Sequence, residues 1–201
     1  SNILVVAMHP LWALNQGLNG KLGFPNFENL SSDNKQLSFN ELMSLQTGGD
    51  LNWSEIKKIR QKWKRKMVLK GVLSTADASF AKRLGIDAII VSNHGGRQLS
   101  AAPAPISILS NFSKSEFGKE FLMLDSGIRS GEDIITGLSL GAGFTFIGRG
   151  FLYALAAGGG DGVNRLFEIL LLEVRTALKL LGCEDPQNLN SENIFHDIGG
   201  K

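Results

Sequence analysis

The sequence predicts an α/β fold in which about four β/α units form a parallel sheet, preceded by a long loop. From residue 51 onward, short apolar runs alternate with stretches of helical periodicity. Strands that are apolar on both faces and alternate with helices are typical of parallel sheets. The residue types that perform chemistry follow the carboxyl ends of these runs, and the opposite ends carry nothing comparable. This asymmetry favours a (β/α) barrel, whose active site lies at that end.

Composition places the chain among globular proteins. It has 201 residues, of which 43% are hydrophobic and 20% are charged, enough for one domain with a sizeable core. The net charge of +2 is too small to indicate nucleic acid as a partner. Cys183 is the single cysteine, which excludes an internal disulfide and fits a reducing, cytoplasmic compartment. The apolar runs are shorter than the roughly 20 residues that a membrane-spanning helix needs, and no secretory signal is expected.

Residues 1–50 are the least regular part of the chain. They are rich in Asn, Gly and Ser, and Pro10 and Pro25 interrupt any periodic pattern. We expect a long loop or excursion here, with a short helix near Leu11 to Gln16. Residues 51–201 are expected to form the β/α part of a single domain.

The regular part is predicted to open with an amphipathic helix, because four apolar residues recur at helical spacing: Trp53, Ile56, Ile59 and Trp63. The strands that follow are predicted at Met67–Leu69, Ala88–Val91, Phe121–Leu124 and Phe144–Ile147. The helices that follow these strands are predicted at Thr75–Leu84, Pro105–Phe112, Gly131–Leu140 and Val163–Leu181, the last with Gly182 as its C-cap. A shorter apolar helix is expected directly after Gly150.

Two of the junctions between helix and strand repeat. Leu84-Gly85-Ile86-Asp87 leads into one apolar strand, and Leu140-Gly141-Ala142-Gly143 leads into another. A (β/α) barrel is built from such repeats, although a Rossmann-like sheet shows them too. The position of the polar residues is what favours the barrel.

A polar or glycine-rich segment follows each predicted strand. These segments are Lys70-Gly71, Ser92-Asn93-His94-Gly95-Gly96-Arg97, Asp125-Ser126-Gly127-Ile128-Arg129 and Gly148-Arg149-Gly150. In a barrel, the loops after the strands form the active site. The pattern therefore predicts an enzyme.

The last two segments have the composition of a phosphate site. A phosphate group needs closely approaching backbone N–H groups, a cation and a helix N-terminus. Gly127, Arg129 and Gly131 precede one predicted helix, and Gly148 with Arg149 precedes another. Either loop alone is as readily explained by ordinary chain turns and solvated arginines. Two successive loops with the same layout favour phosphate binding.

His94 is the candidate catalytic base. It follows a strand and is flanked by glycines that leave room for a substrate, and imidazole titrates near neutral pH. Arg97, three residues later, can hold a carboxylate with two parallel hydrogen bonds. Lys70 would supply a fixed cation that stabilises negative charge on a cofactor. Together these groups suit removal of a proton from a 2-hydroxy acid.

The remaining candidates have simpler interpretations. The basic run from Lys57 to Lys66 is expected to be a solvated helix face, with nucleic-acid binding a remote alternative. Gly158-Gly159-Gly160 resembles a phosphate loop only superficially, and Asp161 is predicted to be an N-cap. His9 and His196 are taken as structural. Cys183 has no neighbour that indicates nucleophilic or metal chemistry.

These motifs resemble those of a known family. Ser92-Asn-His-Gly-Gly-Arg-Gln-Leu99 is similar to the signature of the FMN-dependent 2-hydroxy-acid dehydrogenases and oxidases. Leu69-Lys70-Gly71, Asp125 to Arg129 and Gly148-Arg149 follow in that family's order and spacing. Within the family, His9-Pro10-Leu-Trp12 and Gly17-Leu-Asn-Gly20 are most similar to bacterial respiratory L-lactate dehydrogenases. Ser100 is a departure, since an acidic residue is common there.

The resemblance implies a role for each candidate residue. Lys70 and Ser92 are implied to contact the FMN ring, Lys70 near its N1–C2 carbonyl edge. His94 is implied to be the base and a substrate ligand, and Arg97 the ligand of the substrate carboxylate. The ribityl phosphate is implied to lie against Asp125, Ser126, Gly127, Ile128, Arg129, Gly148 and Arg149. The resemblance implies no metal ion.

The resemblance also implies the wider context. The fold would be the C-terminal half of a TIM (β/α)8 barrel, because only four of the family's eight strands are found and 201 residues are fewer than the roughly 250 of a typical barrel. We therefore expect a fragment whose missing N-terminal half-barrel completes it, and a homo-oligomer when intact. The implied reaction oxidises an L-2-hydroxy acid, expected to be L-lactate, and passes electrons through FMN to a quinone, a cytochrome or oxygen. The expected location is cytoplasmic, with peripheral attachment to the inner membrane as a further expectation.

Three hypotheses remain open from the sequence. The first is the oxidation just described, with glycolate or another 2-hydroxy acid as the alternative substrate. The second is an inactive half-barrel that only binds FMN or phosphate, with unpaired strand edges that favour association. The third is another barrel enzyme that takes a phosphate-bearing substrate without a flavin.

Overall fold

A computed structural model of the chain describes residues 51–194 and, upstream of them, Pro10 and Leu14. The chain divides into two compact units, Ser1–Asn52 and Trp53–Lys201. Pro10 and Leu14 are helical and exposed. The rest of the predicted loop and short helix, together with His9 and His196, lies outside the described residues.

Helices and strands alternate along the second unit. The helices are α1 (Trp53–Lys62), α2 (Thr75–Arg83), α3 (Pro105–Ser113), α4 (Gly131–Ser139) and α5 (Arg149–Leu180). The strands are β1 (Val68–Val72), β2 (Ala88–Val91), β3 (Leu122–Asp125) and β4 (Phe144–Phe146). Short 3₁₀ turns form at His94–Gly96, Pro186–Asn188 and Ser191–Asn193. Among the described helices, none is long and apolar enough to cross a bilayer.

The sheet is parallel, and its strand order is β1-β2-β3-β4. A doubly wound sheet reverses direction from its first strand, so its spatial order departs from the chain order. Sequential order is that of a (β/α) barrel, and the fold is therefore α/β with four consecutive barrel units. β1 and β4 are the outer strands of this sheet.

The helices pack on one face of the sheet, where the core lies. Ile89, Val91, Leu122 and Leu124 point to this face and are fully buried together with Leu109 of α3. The opposite face is open among the described residues, since Val68 on β1 is 42% exposed and Phe144 on β4 is 55% exposed. Because side chains alternate along a strand, this open face also carries Lys70, Ile90 and Met123, which pair in one register row with Phe144.

The repeated junctions are Schellman caps. Gly85, Gly141 and Gly182 each follow a helix with a positive φ of 77°, 106° and 63°. At each one, the N–H of the glycine and of the next residue bond back to carbonyls of the last helical turn, as in Cys183 N–H to Leu178 O at 2.9 Å. The prediction that Gly182 ends the last helix is confirmed.

Two element boundaries differ from the prediction by more than one residue. β1 runs to Val72 instead of ending at Leu69, because an irregularity between Lys70 and Val72 lets the strand continue to pair with β2. The short helix expected after Gly150 and the helix predicted from Val163 are both present as the two parts of α5, which begins at Arg149 and is interrupted at Gly158 and Gly159. Gly159 has a φ of 58°, which favours glycine, so the break lies there. Asp161, predicted as an N-cap, lies inside the helix past this break.

Candidate active site

An ammonium, a hydroxyl and a carboxylate meet at the carboxyl ends of β1, β2 and β3. Lys70 Nζ lies 2.6 Å from Asp125 Oδ2 and 2.9 Å from Ser92 Oγ. Ser92 donates its own proton to Asp125 Oδ2 at 2.6 Å. Ser92 is fully buried, whereas the Lys70 side chain keeps 45% of its surface exposed. The structure thus brings together three predicted site residues that are up to 55 positions apart in the chain.

Backbone geometry brings the His94 imidazole beside this cluster. A Cβ on Gly71 would lie 2.7 Å from His94 Nε2, so the ring packs directly over this glycine. Gly71 has a φ of 93°, and it sits at the irregularity in β1. Glycine is required here both by its conformation and by the close approach of the ring. In the sequence, Gly71 is recognisable only as the end of a strand. The packing of the His94 ring against it was not predicted.

The loop that carries His94 is held by its backbone amides. The N–H groups of His94, Gly95 and Gly96 donate to Ser92 Oγ, Ser126 Oγ and Asn93 Oδ1 at 3.1, 3.0 and 3.2 Å. Arg149 reaches the Gly95 carbonyl from the β4 loop at 3.5 Å. These contacts fix the backbone and leave the His94 side chain exposed toward solvent. Asn93 was missed, although an Asn directly before a tight turn is a known capping signal.

Arg97 follows the turn and is exposed. Among the described residues, it has no hydrogen bond or ion pair to the other predicted site residues. Its guanidinium is therefore available to a ligand that enters beside His94.

The carboxyl of Asp125 carries a perturbed pKa. Burial raises the pKa of Asp125, but hydrogen bonds from Lys70 and Ser92, the positive charge of Lys70 and the Ser126 N–H lower it by more. The net pKa lies below the ordinary value of 3.8. Asp125 is therefore an ionised acceptor that can hold Lys70 and Ser92 at neutral pH.

An Asp125→Asn variant is expected to be less stable than the parent above about pH 5 by about 1–2 kcal/mol, because a charge-assisted pair becomes a neutral one and part of it is screened by solvent. A carboxyl with a depressed folded pKa contributes stability above its unfolded pKa, and this contribution is lost as pH falls through the folded pKa. The difference between parent and variant should therefore shrink below about pH 4. Urea unfolding across this range measures it.

Glu184→Gln, at an exposed position after α5, is the control for general charge effects. A stability difference between parent and Asp125→Asn that stayed constant with pH would contradict the conclusion that Asp125 is an ionised acceptor for Lys70 and Ser92.

The two loops predicted to hold phosphate differ in structure. At the start of α4, the N–H groups of Arg129 and Ser130 donate to Asp133 Oδ2, and that of Gly131 donates to Glu173 Oε2 at 2.7 Å. These amides face carboxylates and are not free for an anion. Placement of phosphate on this helix N-terminus, through Gly131, therefore stays a prediction, and in this structure side chains of the chain itself accept from the amides concerned. Glu173 lies 42 positions further along the chain, which no local pattern reveals.

The start of α5 is arranged differently. Its N-cap is Gly148, which has no side chain to bond the first-turn amides. Gly148 and Arg149 are exposed, as are Gly127 and Arg129 on the neighbouring loop. Ile128 is buried in the core cluster, so only its backbone could contact a ligand. An anion therefore finds free amides and a guanidinium at α5.

The chain is similar to known proteins over nearly its whole length. The family model described as FMN-dependent dehydrogenase matches residues 1–196. An L-lactate dehydrogenase from Xanthobacter autotrophicus is 37% identical over 95% of this chain and 50% of its own length. An (S)-mandelate dehydrogenase from Pseudomonas putida is 37% identical over 97% of this chain and 49% of its own length.

Solved structures give the same result. A crystal structure described as the monotopic membrane protein (S)-mandelate dehydrogenase matches with a TM-score of 0.84 at 33% identity, over 97% of this chain and 52% of that one. A mutant flavocytochrome b2 with pyruvate bound matches with a TM-score of 0.67 at 32% identity, over 76% of this chain and 42% of that one. The chain thus spans about half the length of the curated relatives it matches.

Proposed function

Because the chain belongs to the FMN-dependent dehydrogenase family, we propose that it supplies the base and the flavin-binding residues for oxidation of an L-2-hydroxy acid to the 2-oxo acid. L-lactate is the proposed substrate, because a relative described above is named L-lactate dehydrogenase. The observation that carries the proposal is the convergence of Lys70, Ser92 and Asp125 beside the His94 imidazole. Glycolate or another 2-hydroxy acid is the alternative substrate.

The residues present fit FMN. Arg149 and the free amides at the start of α5 suit its phosphate, with Arg129, Gly127 and Gly148 alongside. The exposed part of Lys70 suits a group that becomes negatively charged on reduction. Asp125, Ser126 and Ile128 were implied to hold the phosphate. We now assign Asp125 to orienting Lys70 and Ser92, and Ile128 to backbone contact alone.

The chain's own residues divide the chemistry between them. Bound FMN would accept the two electrons that leave the substrate carbon. Arg97 holds the substrate carboxylate and so fixes the 2-carbon near His94. His94 removes one of the two protons that this oxidation releases, and the other would pass to FMN with the electrons; histidine is the side chain most often used for such proton transfer. The hydrogen bonds on the His94 loop keep the imidazole in place during this transfer.

The proposal for the whole protein includes further partners. Four more β/α units would close the sheet at β1 and β4, and the closed protein would form a homo-oligomer. The electron acceptor would be a quinone, a cytochrome or oxygen. Attachment to the cytoplasmic face of the inner membrane is proposed because one similar structure is described as a monotopic membrane protein.

The test has two stages. The chain itself is incubated with FMN and desalted, and retained flavin is read from its visible absorbance. Riboflavin, which lacks the phosphate, is the control ligand and should be retained less. A chimera then joins the chain to the half of the Xanthobacter autotrophicus relative that it does not match. Under anaerobic conditions, L-lactate should bleach the flavin of this chimera, and D-lactate should not.

The outcomes separate the three hypotheses. Retained flavin that L-lactate and other L-2-hydroxy acids fail to bleach would favour the second hypothesis, a half-barrel that binds FMN but does not catalyse the oxidation. The open sheet face, on which Phe144 is 55% exposed, is the observation that supports this second candidate function. A chimera that stays colourless would instead favour a phosphate-bearing substrate without flavin.

A further inference from the structure

Among the described residues, two that are not glycine have a positive φ, and they lie in contacting loops. His94 has a φ of 57° and Ser126 a φ of 81°. This backbone region is unfavourable for residues with a Cβ, and such residues cluster at functional sites when the surroundings hold them. Ser126 stands between Asp125 and Gly127, at the end of β3. Its conformation therefore needs a reason, which its hydroxyl supplies.

The Ser126 hydroxyl links two loops. Its Oγ accepts from the Gly95 N–H at 3.0 Å, across 31 positions of sequence. The neighbouring amides of His94 and Gly96 are held by Ser92 and Asn93, which belong to the same loop. Ser126 thus bonds a backbone amide of the His94 loop directly from the end of the next strand, beside the link that Ser92 makes to Asp125.

The hydrogen bonds that Ser92 already makes determine which partner the Ser126 hydroxyl can bond. Ionised Asp125 can only accept, so it takes the single hydroxyl proton of Ser92. Ser92 Oγ and Ser126 Oγ lie 3.3 Å apart. The two lone pairs of Ser92 Oγ already accept from Lys70 Nζ and the His94 N–H, so its contact with Ser126 is a weak one, and the main hydrogen bond of Ser126 Oγ is the one that it accepts from the Gly95 N–H. Asp125 and Ser92 are therefore joined by hydrogen bonds to the His94 amide, and Ser126 adds a second, separate bond to the Gly95 amide of the same loop.

We propose that Ser126 is a positioning residue for His94: its left-handed backbone is retained because it aims the hydroxyl at the Gly95 amide and so holds the turn that presents the imidazole. The proposal rests on the proposed function for the meaning of His94. The contact itself does not depend on that function, so the two can be tested separately.

Two variants separate positioning from a simple structural role. Ser126→Gly removes the hydroxyl and also relieves the backbone, since glycine adopts positive φ freely. Ser126→Ala removes the hydroxyl and keeps the unfavourable φ. We expect both variants to speed hydrogen exchange of the Gly95 amide by about two- to twelvefold, the range for one lost hydrogen bond. The unfolding midpoint should fall for Ser126→Ala and stay equal or rise for Ser126→Gly.

Amide exchange in the full chain, followed by NMR, gives the readout. Ser107→Ala is the matched control, since it removes a serine hydroxyl bonded to Ala104 O on the outer helix α3 and should leave Gly95 exchange unchanged. Unchanged Gly95 exchange in both Ser126 variants would overturn the proposal. So would a Ser126→Gly variant in which core amides such as Leu124 exchange faster by the same factor, because the effect would then be global. If the Gly95 amide exchanges faster in both Ser126 variants but L-lactate never bleaches the flavin of the chimera, the positioning role of Ser126 is supported and the proposed reaction is refuted.

Discussion

Replacement of His94 by Gln is expected to slow the bleaching of bound flavin by L-lactate by about 10²–10⁴-fold, the usual contribution of a positioned general base. Glutamine keeps a polar side chain of similar size over Gly71 but does not take up a proton near neutral pH. His94 is exposed, so the fold should not depend on its ring. Stopped-flow absorbance of the chimera, mixed anaerobically with L-lactate, measures the rate.

Two comparisons make this result specific. Flavin retention and the unfolding midpoint should match the parent, because His94 makes no described contact with the loops proposed to hold the phosphate. Asn111→Ala, an exposed change on the outer helix α3, is the control and should bleach at the parent rate. Parent-like bleaching by the His94→Gln variant would refute His94 as the base.

Replacement of Gly131 by Ala is expected to destabilise the fold by roughly 2–4 kcal/mol, by overpacking and loss of a charge-assisted hydrogen bond. An added Cβ would lie 2.4 Å from Glu173 Cβ and 2.5 Å from the Val174 backbone nitrogen. Backbone cannot move aside as the tip of a side chain can, so α4 and α5 would have to separate. That shift would also break the bond from the Gly131 N–H to Glu173 Oε2. Urea unfolding of the chain measures the loss.

Gly160→Ala is the matched control for this change. Nothing lies within 4 Å of the Cβ that it would add, and Gly160 sits inside α5. This variant should be neutral or more stable by up to about 1 kcal/mol, because alanine restricts the unfolded chain. Glu173→Gln should cost less than Gly131→Ala, since it weakens the hydrogen bond without forcing the helices apart. Equal losses from Gly131→Ala and Gly160→Ala would contradict the packing argument.

The sequence located the strands and helices well because their signals are local. β2 occupies the predicted residues, and the helix boundaries of α2, α3 and α4 lie within one residue of the prediction. α5 comprises both the short helix expected after Gly150 and the helix predicted from Val163. Its first part is separated from the rest by Gly158 and Gly159, and glycines in sequence do not show whether a chain turns sharply or merely bends.

One rule about parallel sheets predicted which strand ends form the candidate site. The same rule did not predict which residues of each loop make the contacts. Because the carboxyl ends of parallel strands meet at one edge, Lys70, Ser92 and His94 were expected to lie together, and they do. The same rule treats every residue of a loop alike. It could not separate Ser126, whose hydroxyl holds the His94 loop, from Gly127, which is exposed.

The sequence alone determined the class of fold, the end of the sheet where polar groups gather, and the family. These follow from periodicity, glycine punctuation and contiguous motifs, all of which lie within a few residues of each other. Only the tertiary structure decided that Glu173 fills the N-terminus of α4, that Gly71 lies under His94, and that Asp125 orients Lys70 and Ser92. Each of these contacts joins residues between 23 and 55 positions apart. Their distances depend on how strands and helices pack, which local sequence patterns do not encode.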